Sequence, residues 1–322
     1  FRDPFVWREG DTWYMVLGSQ IKDVGGVIFL YRSSNLVDWE YLNPLYSSDN
    51  LRYGLIWACP NFFKLGEKWV LIFSAHTGAT VDTVYYFVGD YHNHRFVPQY
   101  SAVLDYGNMY APLTFTDNQQ RRLMFGWLRE ARSTVDQRLS GWSGVQSIPR
   151  VLTLDNQNRL LMSPVPELET IRGRHYSIDP MSVTQTTTLD VTGAALDIVA
   201  EFSLERSGHC GFSLVCSGDG TERIDIVYRA EGGLLSVQKV NPEQNGALTT
   251  HSRETLHELA PDETLKLRIL LDGSVVEIIA NDRTSLTSRF YALNADSEHV
   301  RLFGSQARLM ALDIWEMPSV WR

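Results

Sequence analysis

Cysteine, positive charge and long apolar runs are all scarce in this chain. Three cysteines, Cys59, Cys210 and Cys216, are too few for a disulfide framework. Cys210 and Cys216 share one strand-like run, which would hold them about 20 Å apart if extended, beyond the reach of a bridge. All three are expected as buried thiols, and secretion and the cytoplasm remain equally open. Lys and Arg total 29 against 38 Asp and Glu, a net charge of −9. That balance argues against nucleic acid or an anionic membrane surface and suits a neutral ligand such as a carbohydrate. No run of 18 apolar residues exists to span a bilayer. The chain opens at Phe1 without a Met or signal peptide, so an N-terminal part is expected to lie outside it.

Several chemistries lack their residues. His92 and His94 flank Asn93 without the Cys or carboxylate set that completes a metal site, so they are expected as solvent-facing hairpin imidazoles. No metal or cofactor is expected. Asp23-Val24-Gly25-Gly26 lacks the helix and Lys of a phosphate loop and reads as a hairpin tip. Gly141-Trp142-Ser143-Gly144 brings its second Gly one place too early for a serine-hydrolase elbow.

What is present is aromatic and strand-forming. Nine Trp and fourteen Tyr offer flat faces that fill β cores or stack on sugar rings. One layout recurs around Pro4, Pro60 and Pro112: a Pro, a short apolar strand, a polar turn and a second apolar strand. A repeat of roughly 50 residues built only from short strands predicts a β-propeller, one blade per repeat. The innermost strands of a propeller line a channel, so equivalent positions converge there. The residue two before each Pro is Arg2, Ala58 and Tyr110; the residue one before is Asp3, Cys59 and Ala111.

Residues 1–165 read as strand after strand, with no helix expected. Val165–Gly173 changes character: Pro166 can start a short helix and Gly173 can end it. The domain boundary is placed near residue 173, giving 1–173 as propeller with linker. Residues 174–322 alternate with period two, as in Leu196–Leu204, Ile224–Tyr228 and Leu265–Leu271, and predict a β-sandwich. The fold class is therefore all-β.

With these residues in hand, the chain resembles glycoside hydrolase family 32, the invertase, inulinase and levanase type of β-fructosidase. Phe1-Arg2-Asp3-Pro4 is similar to that family's Arg-Asp-Pro motif, and Trp57-Ala58-Cys59-Pro60 to its Trp-Glu-Cys-Pro motif. Leu104-Asp105-Tyr106-Gly107 with Tyr110-Ala111 resembles the fourth-blade signature, and Gly141–Gly144 with Ile148-Pro149-Arg150 the fifth-blade segment. Asp272–Glu277 and Leu286–Arg289 resemble the family's sandwich. The resemblance implies a five-bladed propeller followed by a sandwich, and a sucrose- or fructan-type ligand. It implies Asp3 as the carboxylate that stabilises the transition state through the fructose hydroxyls, with Arg2, Cys59, Tyr110 and Trp142 around the sugar. Ala58 stands where the family carries its general acid/base Glu. The family's nucleophile motif lies upstream of Arg-Asp-Pro, where this chain begins, so the propeller is expected to be incomplete and the chain itself inactive. Asp105, before Tyr106-Gly107, is read as a turn residue rather than a replacement acid. Two rivals stand beside the enzyme: a non-catalytic fructan-binding protein and one half of a split enzyme. Open strand edges imply self-association or a complementary N-terminal chain.

Overall fold

Alternation with period two puts one side of each strand toward a core and builds a nearly all-β molecule. The structure is a computed structural model that describes residues 2–48, 50–76, 83–242, 248–294 and 296–320. It divides into two compact units, residues 1–165 and 166–322. The first is β-propeller-like and the second is a β-sandwich.

Among the described residues, the first unit contains three antiparallel sheets. The first is β1 (Arg2–Glu9), β2 (Thr12–Ile21), β3 (Gly25–Ser33) and β4 (Glu40–Ser47), in that spatial order. The second runs likewise through β5 (Ile56–Leu65), β6 (Lys68–His76), β7 (Thr83–His92) and β8 (Arg95–Asp105). In the third, β9 (Met109–Thr116) pairs with β10 (Arg122–Leu128). The other edge of β10 takes β11 (Val145–Gln146) and β12 (Arg150–Leu154), and β12 pairs with β13 (Leu160–Pro164). Each repeat has become one blade-like sheet whose first strand carries the Pro. Val16, Ile28 and Leu30 of the first sheet pack against Trp57, Phe62, Phe73 and Phe87 of the second. Burial contributes about 1.5–3 kcal/mol for each such side chain. Trp57 is fully buried, and its indole N–H donates to the Tyr53 carbonyl at 2.7 Å.

Three expectations need correction here. A helix, α1 (Thr134–Ser140), interrupts the third sheet. Ser133 caps it by accepting from the Asp136 N–H, and Gly141 closes it at φ 76°. Ser133 with Asp136 three residues on is a capping pair, and Gly at the end is the usual stop. Cys59 is half-buried rather than buried, while Cys210 and Cys216 lie in the core; all three are free thiols. His92 is exposed, but His94 is half-buried, with Nε2 3.4 Å from the Tyr14 hydroxyl, because the β7–β8 hairpin folds back on the first sheet.

Pro166 does open a short 3₁₀ turn, through Ile171, and residues 166–173 group with the second unit. There the Gly173 N–H donates to the Glu316 carbonyl at 2.7 Å. The sandwich strands are β14 (His175–Ile178), β15 (Met181–Val183), β16 (Thr187–Thr192), β17 (Ala195–Cys216), β18 (Arg223–Arg229) and β19 (Leu234–Pro242). They continue as β20 (Leu248–Leu256), β21 (Leu265–Asp272), β22 (Val275–Ala280), β23 (Thr284–Arg289) and β24 (His299–Glu316). The long strands β17 and β24 pair with each other, and register shifts break their ladder in three places. Such bulges bend a strand, which lets one long strand serve both layers.

Candidate active site at the bulged first strands

In each of the three sheets of the first unit, the first strand breaks register at its Pro. Pairing of β1 with β2 slips between Arg2 and Phe5, and pairing of β5 with β6 slips between Ala58 and Asn61. On β9 the slip falls between Tyr110 and Leu113, opposite Trp127 and Phe125. A bulge accommodates a Pro because the missing N–H is not needed in the ladder. The residue before each Pro takes a left-handed φ: 58° at Asp3, 48° at Cys59 and 46° at Ala111. For a residue with a Cβ that conformation costs about 1–2 kcal/mol, so the same strain is built into all three sheets.

The bulges also tie neighbouring sheets together. Asp3 Oδ2 accepts from the Cys59 backbone N–H at 3.1 Å and from the Cys59 thiol at 3.3 Å. The Ala111 N–H donates to Ser74 Oγ at 3.0 Å, and Ser74 stands opposite Ala58 in the ladder. Buried Asn61 donates to the Cys59 and Pro112 carbonyls and accepts from the Thr114 N–H.

Of the expected site residues, Asp3 and Cys59 are in direct contact and Ala58 is next in the chain. Asp3 and Arg2 are exposed, whereas Ala58 is only 1 % exposed. Burial, and then the charge and hydrogen bond of Asp3, push the Cys59 thiol up to about 12, with Arg2 acting weakly the other way. The thiol therefore keeps its proton and can donate it in a hydrogen bond. Tyr110 is buried, its hydroxyl 2.6 Å from His76 Nε2 and its ring under the Arg129 guanidinium. Trp142 belongs to another group: it follows α1, half-exposed, with the Arg132 guanidinium 4.1 Å over its ring.

Asp105 is buried, accepts from the Gly107 N–H at 2.8 Å and lies 4.0 Å from the buried Arg150 guanidinium. It closes a turn. A cavity of about 420 Å³ borders the third bulge, lined by Ala111, Leu113, Phe125, Trp127 and Gly144 among others. A larger one of about 800 Å³ lies in the second unit, between Arg206, Tyr228 and Glu258. His76, Ser74 and Asn61 are site neighbours that sequence reasoning missed. The one available signal was that Ser74-Ala75-His76 ends the strand hairpinned to Ala58.

Blade-like sheets with bulged, Pro-bearing first strands, followed by a sandwich, define a protein of the propeller-and-sandwich class. Residues 1–164 match the family model for the glycosyl hydrolases family 32 N-terminal domain, and residues 167–316 match that for the family 32 C terminal. The chain belongs to glycosyl hydrolases family 32. Among curated relatives, a sucrose-6-phosphate hydrolase of Escherichia coli is 32% identical over 90% of this chain and 61% of its own length. An insoluble beta-fructofuranosidase, isoenzyme 2, of Daucus carota is 30% identical over 98% of this chain and 65% of its own. The chain thus spans under two thirds of the length of these relatives. The crystal structure of fructan 1-exohydrolase IIa from Cichorium intybus shares the fold, with a TM-score of 0.84 at 24% identity, covering 99% of this chain and 72% of that one.

Proposed function

We propose that this chain carries the fructoside-recognising part of a β-fructofuranosidase-type glycoside hydrolase acting on sucrose or fructans. The observation that carries this reading is the Asp3 carboxylate, held by Cys59 beside position 58 on the family's own motifs. Asp3 accepts hydrogen bonds from fructosyl hydroxyls, and these strengthen as the transition state forms. Arg2, Cys59, Tyr110 and Trp142 are assigned to the surroundings of the sugar.

A retaining mechanism needs a nucleophile that forms a covalent glycosyl intermediate and an acid/base that protonates the leaving oxygen. Ala58 has no proton to give, and loss of that help costs about 10²–10⁴-fold in rate. The chain therefore recognises its sugar without efficient turnover. A second reading, a non-catalytic fructan binder, rests on position 58 being Ala, a side chain with no acid group. For the partner expected beside the sugar, exposed Leu113, Phe115 and Trp127 on the third sheet support self-association.

Calorimetry with sucrose and 1-kestose is the test. Binding is expected, and Asp3→Ala should weaken it at least about tenfold, because charge-assisted hydrogen bonds are lost. In a protein that also carries the family's nucleophile segment, Ala58→Glu should raise hydrolysis by about 10²–10⁴-fold. Equal rates with Ala and Glu would remove position 58 from the acid/base role, and binding indifferent to Asp3→Ala would end the recognition reading.

A further inference from the structure

The geometry points to Cys59 as the positioning residue of Asp3: its backbone N–H and its thiol together clamp carboxylate oxygen Oδ2 and leave Oδ1 to the sugar. The inference rests on the reading of Asp3 as the sugar-binding carboxylate and adds how that carboxylate is held.

Four observations converge on it. Asp3 sits on an exposed strand end, where an unclamped carboxylate would sample several rotamers. The Cys59 N–H is free to reach across because the bulge takes it out of the β5–β6 ladder. The thiol stays protonated, since burial and the Asp3 charge raise it to about 12, so it serves as a donor throughout the neutral range. The third bulge supplies an internal comparison: Ala111 has the same left-handed backbone, but its N–H goes to Ser74 Oγ and its side chain has no donor. A second donor thus occurs at the bulge that faces a carboxylate and not at the bulge that faces a hydroxyl. Oδ1 of Asp3 has no hydrogen bond among the described residues, and Arg2 is the cation acting on the thiol.

The clamp can be read without any ligand, from alkylation of Cys59 by iodoacetamide near pH 9, mapped by mass spectrometry. Buried Cys210 and Cys216 serve as internal controls. Removing the carboxylate charge in Asp3→Asn lowers the thiol pKa, so alkylation of Cys59 should rise about tenfold or more. A rate unchanged in Asp3→Asn overturns the clamp whatever the sugar does. The second arm is 1-kestose affinity. Cys59→Ala should weaken binding about tenfold, and Cys59→Ser, which keeps a donor of similar length, should recover most of it. Ser and Ala equally weakened would mean that the side chain only fills space, which also overturns the inference. If the unaltered chain fails to bind 1-kestose, the functional reading fails instead, and alkylation still decides the clamp.

Discussion

Position 58 shows how much one side chain can decide. A Glu there could move a proton; the methyl of Ala58 cannot. The residue that holds this region together is Asn61, which carries no chemistry of its own. It is fully buried, donates to the Cys59 carbonyl at 3.1 Å and the Pro112 carbonyl at 2.9 Å, and accepts from the Thr114 N–H at 2.8 Å. Asn61→Ala leaves those groups without a partner in a site closed to water, at about 1–3 kcal/mol for each unsatisfied group. The substitution is expected to lower stability by about 3 kcal/mol in urea unfolding followed by Trp fluorescence. A loss under about 1 kcal/mol would mean that water takes over these bonds.

At the scale of elements, the three bulges do the organising. Each shifts its ladder by one residue, and each turns the residue before a Pro out of the pleat. The second sheet can then approach the first very closely. A Cβ built on Gly18 would stand 2.3 Å from the Trp57 carbonyl oxygen, and one on Gly26 would stand 2.2 Å from the Trp57 indole nitrogen. The carbonyl is backbone and cannot swing aside as a side chain can. Gly18→Ala should therefore cost about 1–3 kcal/mol, the range for overpacking, and weaken sugar binding with it because Ala58 and Cys59 follow Trp57. Wild-type denaturation curves for Gly18→Ala would show that the two sheets do not meet this tightly.

Taken as a whole, the molecule is two units, each with its own core. Residues 166–322 expressed alone should unfold cooperatively, as scanning calorimetry would show; a broad, non-cooperative trace would mean that the sandwich depends on the first unit. Its stability should also fall on acidification. His257 is buried, with Nδ1 2.9 Å from the Thr284 hydroxyl and Nε2 3.1 Å from Asn281 Oδ1, and burial lowers its pKa below 6.5. The unfolded chain then binds the proton first. The contribution of His257 is complete above about pH 6.5 and is lost as pH falls through the lower folded value. Glu263, held at about 2 by Arg283, adds a second loss between about pH 4.5 and 2. His257→Gln should flatten the first of these slopes; an unchanged slope would assign it to other groups.

Period-two alternation and a Pro recurring at the head of each blade were sufficient to read an all-β chain, its propeller-like and sandwich parts, and the motifs around Asp3 and Ala58. Those are local properties: which way a side chain points along a strand, and where a Pro can stand. The ends of α1 were legible too, in Ser133 and Gly141, but a run of strands on both sides hid them. Tertiary structure alone decided the contacts. Counting back from the Gly66-Glu67 turn puts Ala75 opposite Ala58, yet the bulge slips the ladder so that Ser74 stands there and receives the Ala111 N–H. Asp3 and Cys59 are 56 residues apart and Tyr110 and His76 are 34 apart, each pair meeting across two sheets. A one-residue slip in register reverses the face of every side chain beyond it, and no periodicity in the sequence records where the slip occurs.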